Sequence, residues 1–186
     1  MAAAASAADD PMIILQRARD IIAAQIKKSA NYTCIQTVDR SYFRSANDLL
    51  PGCAYQSQTP SRKEIMHDRL RLDVAVSKGQ EIYSWHGENS FSASAITRMV
   101  RTGPISSGGF VGYLENIFLD SDVQFRYIGN STLNGMSGYS FEYSVPLSAS
   151  RYHIQGKHAS PIVPFHGSFL VDGTSFELLK LEVIAD

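Results

Sequence analysis

The chain has 186 residues, 44% of them hydrophobic, and a formal charge of −1 at pH 7. That length supports one ordinary domain with a sizeable core, and the near-neutral charge gives no electrostatic reason to expect DNA or RNA as a partner. No apolar run approaches the ~20 residues of a membrane span, so the chain is expected not to span a bilayer as a helix.

Residues 1–10 read as a disordered Ala-rich tail and residues 11–186 as a single domain. The Ala-Ala-Ser-Ala-Ala stretch has two readings: the remnant of an export signal, with its basic and apolar regions missing, or a plain tail without targeting meaning. Asp10 and Pro11 then predict a helix start, because Asp caps free N–H groups and Pro suits the first turn. Leu15, Ala18 and Ile22 recur at helical spacing to about Ser29, and Lys27 and Lys28 complement the dipole of the last turn. Those lysines, and Arg62-Lys63, otherwise read as solvated surface.

Tyr32–Phe43 has strand composition, and Asn47–Pro60 reads as a loop. Cys34 and Cys53 are the only cysteines. In an exported protein they are expected to form a disulfide, closing a loop of about 20 residues worth roughly 3 kcal/mol in the chain-entropy model. A buried free thiol at Cys34 is the alternative. Arg69–Val76 is the cleanest strand: Leu70, Leu72, Val74 and Val76 share one face, and Arg69, Arg71 and Asp73 the other. Lys78-Gly79 turns it into Glu81–Trp85. This hairpin favours an antiparallel meander over parallel βαβ units.

A short helix is expected at Ala95–Val100 and a second one at Gly108–Leu119, with Phe110, Tyr113, Leu114, Ile117 and Phe118 on one apolar face. Val123–Ile128, Tyr139–Val145 and Tyr152–Ile154 read as strands. The chain closes with a hairpin over His166–Val183, turning at Asp172-Gly173, where the glycine is expected to accept a positive φ. Its inward side holds Phe169, Leu179 and Leu181; its wet side holds His166, Asp172, Lys180 and Glu182. Together these elements predict an α+β fold: a strongly curved antiparallel sheet of about seven or eight strands, an unclosed barrel, with a long N-terminal helix and a shorter central helix capping its concave face.

Signatures of chemistry are few. The sequence has no Gly-x-Ser-x-Gly elbow, His-Glu-x-x-His, phosphate loop or Cys-x-x-Cys. No two of His67, His86, His153, His158 and His166 have the i, i+4 spacing of a helical metal site. Cys34 lies inside a strand, without a helix N-terminus to activate it. Asp68, Asp73, Glu81 and Glu88 read as a wet face. No catalytic residue, metal or cofactor is therefore expected.

Aromatic residues carry the remaining signal. Phe125 and Tyr127 on one strand, with Tyr139, Phe141 and Tyr143 on another, form an apolar wall. Phe110, Leu114, Ile117 and Phe118 form its lid. Wall and lid make either a packed core or a cavity for an acyl chain, with the tyrosine hydroxyls at its rim.

The helix running into Tyr32-Thr-Cys-Ile-Gln-Thr-Val-Asp-Arg40, the strand–turn–strand Leu70–Trp85 and the late hairpin Gly167–Val183 together resemble the LolA/LolB-like superfamily of periplasmic lipoprotein carriers. The resemblance covers the chain after Pro11 and rests on pattern and order. It implies a periplasmic or secreted, non-enzymatic monomer that binds a lipid or lipoprotein acyl chain in a half-barrel. A sensor or protein-interaction module with a filled core is the alternative, engaging an envelope protein. A hydrolase built from scattered His, Asp or Cys residues is a further one. The family pattern has no match for the cysteine pair, and Thr102–Phe110 is longer and richer in glycine than a simple cap.

Overall fold

The computed structural model of the chain describes residues 10–28, 31–45, 62–77, 80–105, 109–154 and 160–186. The Ala-rich tail, Cys53, the Asn47–Pro60 loop, the Lys78-Gly79 turn and His158 lie outside them. The elements are α1 (Pro11–Lys28), β1 (Asn31–Ser45), β2 (Arg62–Ser77), β3 (Gln80–Trp85), α2 (Ile96–Met99), α3 (Phe110–Leu114, continuing as a π-helical turn Glu115–Leu119), β4 (Gln124–Leu133), β5 (Met136–Val145), β6 (Phe165–Asp172) and β7 (Leu178–Ala185).

The fold is α+β. Among the described residues the strands form two antiparallel sheets, ordered β1-β2-β3 and β4-β5-β6-β7, and neither is a closed barrel. The chain divides into two compact units at Ser29/Ala30 and Gly108/Gly109. The sequence suggested one sheet of seven or eight strands. After Trp85, however, the chain folds onto the first sheet instead of extending it: Ile96 and Val100 bury against Leu72, Val74, Val76 and Tyr83.

The unit holding α1 and β4–β7 has the larger core. Its helix starts as predicted: the Asp10 carboxylate accepts the Met12 N–H at 2.9 Å. Ile14, Leu15, Ala18 and Ile22 form the buried face. β4 and β5 meet at Asn134-Gly135, with φ of 51° and 84°. Leu133 pairs with Met136, so the loop has only these two residues, both left-handed as a type I′ hairpin requires. This turn lets both strands run past their expected limits.

The closing hairpin forms, but not with the expected turn. Gly173 has no positive φ; the left-handed residue is Phe176, at 59°. The loop spans residues 173–177 because the Asp172 carboxylate accepts the Thr174 and Ser175 N–H groups, both at 2.8 Å. Gly173 is small for a different reason: its N–H donates to the Ser137 carbonyl at 3.0 Å, and a Cβ there would lie 3.1 Å from that same oxygen. The strand expected at Tyr152–Ile154 reduces to one bridge, His153 to Ile162. Pro161 and Pro164 beside it supply no N–H donors to extend a ladder.

In the other unit β1 and β2 pair along their whole described length, while β3 reaches only from Ser77 to Leu72. Beyond Leu72 the sheet becomes a two-stranded ribbon, and β2 starts well before the expected Arg69. Isolated ribbons are marginal in water. Here Arg40 pairs in register with Asp68, binds its carboxylate through two 2.6 Å hydrogen bonds and donates to the Thr102 carbonyl at 2.7 Å. Next to Thr102, Gly103 has φ +78°, and a Cβ there would collide with the Tyr42 hydroxyl. Glycine is needed here on both counts.

Candidate functional site

The predicted wall and lid lie in one unit and meet. β4 and β5 place Phe125 opposite Tyr143 and Tyr127 opposite Phe141. Phe118 packs 5.0 Å from Phe169 and 6.3 Å from Phe125, and Phe141 stacks 5.1 Å from Phe169. Leu114, Phe118, Phe141 and Tyr143 are buried, with Phe125, Tyr127 and Tyr139 packed against them. These spacings are those of rings in direct contact. Phe110 is 49% exposed and does not join the core. Phe169, expected on the inward side of the closing hairpin, sits at the centre of the ring cluster.

The lid owes its position to polar contacts. Asn116, buried in the π-helical turn, donates to the Ala149 carbonyl at 2.8 Å and accepts the Arg151 N–H at 3.0 Å. Arg19 donates to the Phe118 and Asp120 carbonyls at 2.8 and 3.2 Å and lies over the Phe125 ring. It thereby satisfies carbonyls that the helix end leaves without partners. Tyr143 donates to the Glu182 carbonyl at 2.8 Å, and burial pushes its phenol pKa up, so the hydroxyl stays protonated. Tyr127 donates to Asn130 at 2.8 Å. The Tyr127 and Tyr143 hydroxyls thus bond the protein itself.

The titratable groups expected on a wet face are more engaged than the sequence suggested. Asp68 and Asp73 are only partly exposed. Asp68 is held below the usual carboxylate range by its hydrogen bond from Arg40, and Asp73 by its bond from His86. His86 Nδ1 lies 2.8 Å from Asp73. His153 is exposed as expected, and His166 faces solvent 2.5 Å from Asp186. Cys34 is an exposed free thiol whose pKa is raised by desolvation first and Glu81 second. That is the reverse of an activated nucleophile. Its expected partner Cys53 lies outside the described residues. Among those residues, no group of three His, Cys, Asp or Glu side chains is placed to hold a metal ion.

One feature of the three-stranded unit escaped the sequence analysis. A pocket of about 400 Å³ lies over its outer face, lined by Thr33, Ile35, Asp73, Ser84, the Cys34 and Val74 positions, and residues 88–91. Ile35, Asp73 and Ser84 form one row across the three strands. Gly87, at φ +90°, reverses the chain after β3. The Ser92 N–H then bonds the Tyr83 carbonyl at 2.7 Å, so residues 88–91 stand as a wall beside that row. The available signal was Gly87 with Asn89-Ser90 directly after a strand, a turn that folds the chain back.

No family model matches this chain, and no curated protein matches it. Among the described residues, no helix is long and apolar enough to cross a membrane.

Proposed function

We propose that this chain is a non-enzymatic module of the cell envelope, LolA/LolB-like in layout, that senses or binds an envelope protein and whose core is filled by its own side chains. One observation carries the choice between filled and open forms. The rings that an acyl chain would have to displace are in mutual contact, with Phe118 5.0 Å from Phe169 and Phe141 5.1 Å from Phe169. The non-enzymatic part rests on the chemistry of the candidate nucleophile: Cys34 pairs with Val74, so its side chain shares the face opposite Asp73, away from the His86–Asp73 pair.

The open form, an apolar-ligand binder whose lid parts to admit a lipid or lipoprotein acyl chain, draws support from the π-helical turn Glu115–Leu119. Such turns are rare and frequently fall at functional positions. Native mass spectrometry of the chain purified from a membrane-containing lysate separates the two. The filled form predicts bare protein; a stoichiometric lipid adduct overturns it in favour of the open form. The envelope assignment is checked by fractionating cells that express the full-length chain. Recovery from the periplasm or medium is expected, and a purely cytosolic product would refute that part of the proposal.

A further inference from the structure

The pocket on the three-stranded sheet has a chemistry of its own, independent of the packed rings. Its floor is the row Ile35–Asp73–Ser84, and its wall is Glu88–Phe91. Ser84 is 2% exposed, faces the pocket and makes no side-chain hydrogen bond with any described residue. Its hydroxyl keeps access to the pocket and is placed to bond whatever fills it.

Two carboxylates line the same space, Asp73 and Glu88, and no cationic side chain does. His86 and the Gly87 N–H each occupy one oxygen of Asp73, at 2.8 and 3.3 Å. Each carboxylate oxygen has two acceptor sites, so Asp73 keeps capacity toward the pocket. Arg71 shares the outer face of β2 but does not line the cavity. Ile35 and Phe91, 54% and 41% exposed, give the pocket an apolar side. Volume, acceptors and apolar side suit a small molecule rather than a macromolecule.

We infer that this pocket binds a small organic amine, its ammonium bonded by Asp73, Glu88 and the Ser84 hydroxyl and its apolar body against Ile35 and Phe91. A protonated primary amine brings three donors and no acceptor, which complements a lining rich in acceptors. The inference extends beyond the proposed function and does not depend on whether the four-stranded unit's core is filled.

The test is an amide NMR titration of the full chain at pH 7 with benzylamine, and with benzoate and benzyl alcohol as probes of the same shape. Saturable shifts confined to residues 33–35, 73, 84 and 87–91 are expected with benzylamine. Benzyl alcohol should bind about tenfold more weakly, because it keeps one donor and no charge, and benzoate more weakly still, because it has no donor and is repelled by Asp73 and Glu88. Ser84→Ala and Glu88→Gln should each weaken benzylamine binding several-fold. Glu88 is an exposed rim residue, so its replacement leaves the fold intact and keeps the test decisive even if Ser84→Ala disturbs the sheet. No saturable shift with benzylamine, or equal shifts with benzoate or benzyl alcohol, would overturn the inference.

Discussion

In the four-stranded unit, fifteen hydrophobic side chains are buried together among the described residues, drawn from the sheet, α1, the helical lid and the segments beside β4 and β5; in the three-stranded unit six are, beneath a helix of four residues. The difference shows in how each unit holds its periphery. Where two amphipathic helices are available, apolar area and stacked rings close one face of the sheet. Where they are not, a guanidinium–carboxylate pair, a glycine contact and a folded-back loop do the work, and the outer face keeps a pocket. The same strand pattern thus gives contacting aromatic rings in one place and a pocket in the other.

Substitutions separate the two cores. The largest effect is expected from Phe169→Ala, which removes the ring that Phe118, Phe125 and Phe141 all touch; a cost of about 3–5 kcal/mol in urea denaturation is expected. Leu72→Ala strikes the smaller core and should cost about 2–3 kcal/mol, the lower part of the range, because fewer neighbours fix the site. A larger loss at Leu72 than at Phe169 would reverse the ranking of the two cores. Gly103→Ala should cost about 1–3 kcal/mol, by strain at positive φ and by collision with Tyr42, and amide exchange should speed up in the ribbon around Arg40 and Asp68. Gly135→Ala should cost only about 1 kcal/mol, because one left-handed turn position is all it disturbs.

The smallest effect concerns pH. Asp39, Asp68 and Asp73 all titrate below the ordinary carboxylate range, through hydrogen bonds from Arg69, Arg40 and His86 respectively. A depressed native pKa means that the stabilisation is fully present above the unfolded value of about 4 and is lost as pH falls through the native values. Amide protection in the ribbon should therefore hold from pH 7 to 5 and decline below about pH 4. Protection that rises on acidification would contradict the assigned pairs.

The sequence made some of this legible and hid the rest for physical reasons. Helical spacing and an Asp-Pro start located α1, because capping and amphipathicity are local. The alternation of Leu70, Leu72, Val74 and Val76 revealed the inner face of β2. Phe125, Tyr127, Phe141, Tyr143 and Phe118 pack in one cluster, where period-two and helical patterns both point them inward. Yet pattern alone could not distinguish a packed core from a cavity, which depends on distances between rings. The Asp-Gly pair does not form the expected turn because the Asp172 side chain captures two N–H groups and the left-handed residue falls at Phe176. Asn134-Gly135 was the stronger turn and went unused. The arginine–aspartate ribbon and the pocket depend on register between strands distant in sequence, and composition does not encode that.

The proposed function requires the ring cluster of the four-stranded unit to be filled. Titration of the purified chain with a fluorescent fatty acid tests it. The packed rings predict no saturable change in fluorescence and no competition by oleate. A saturable one-to-one signal that oleate displaces, and that the substitution Phe118→Trp alters, would contradict it.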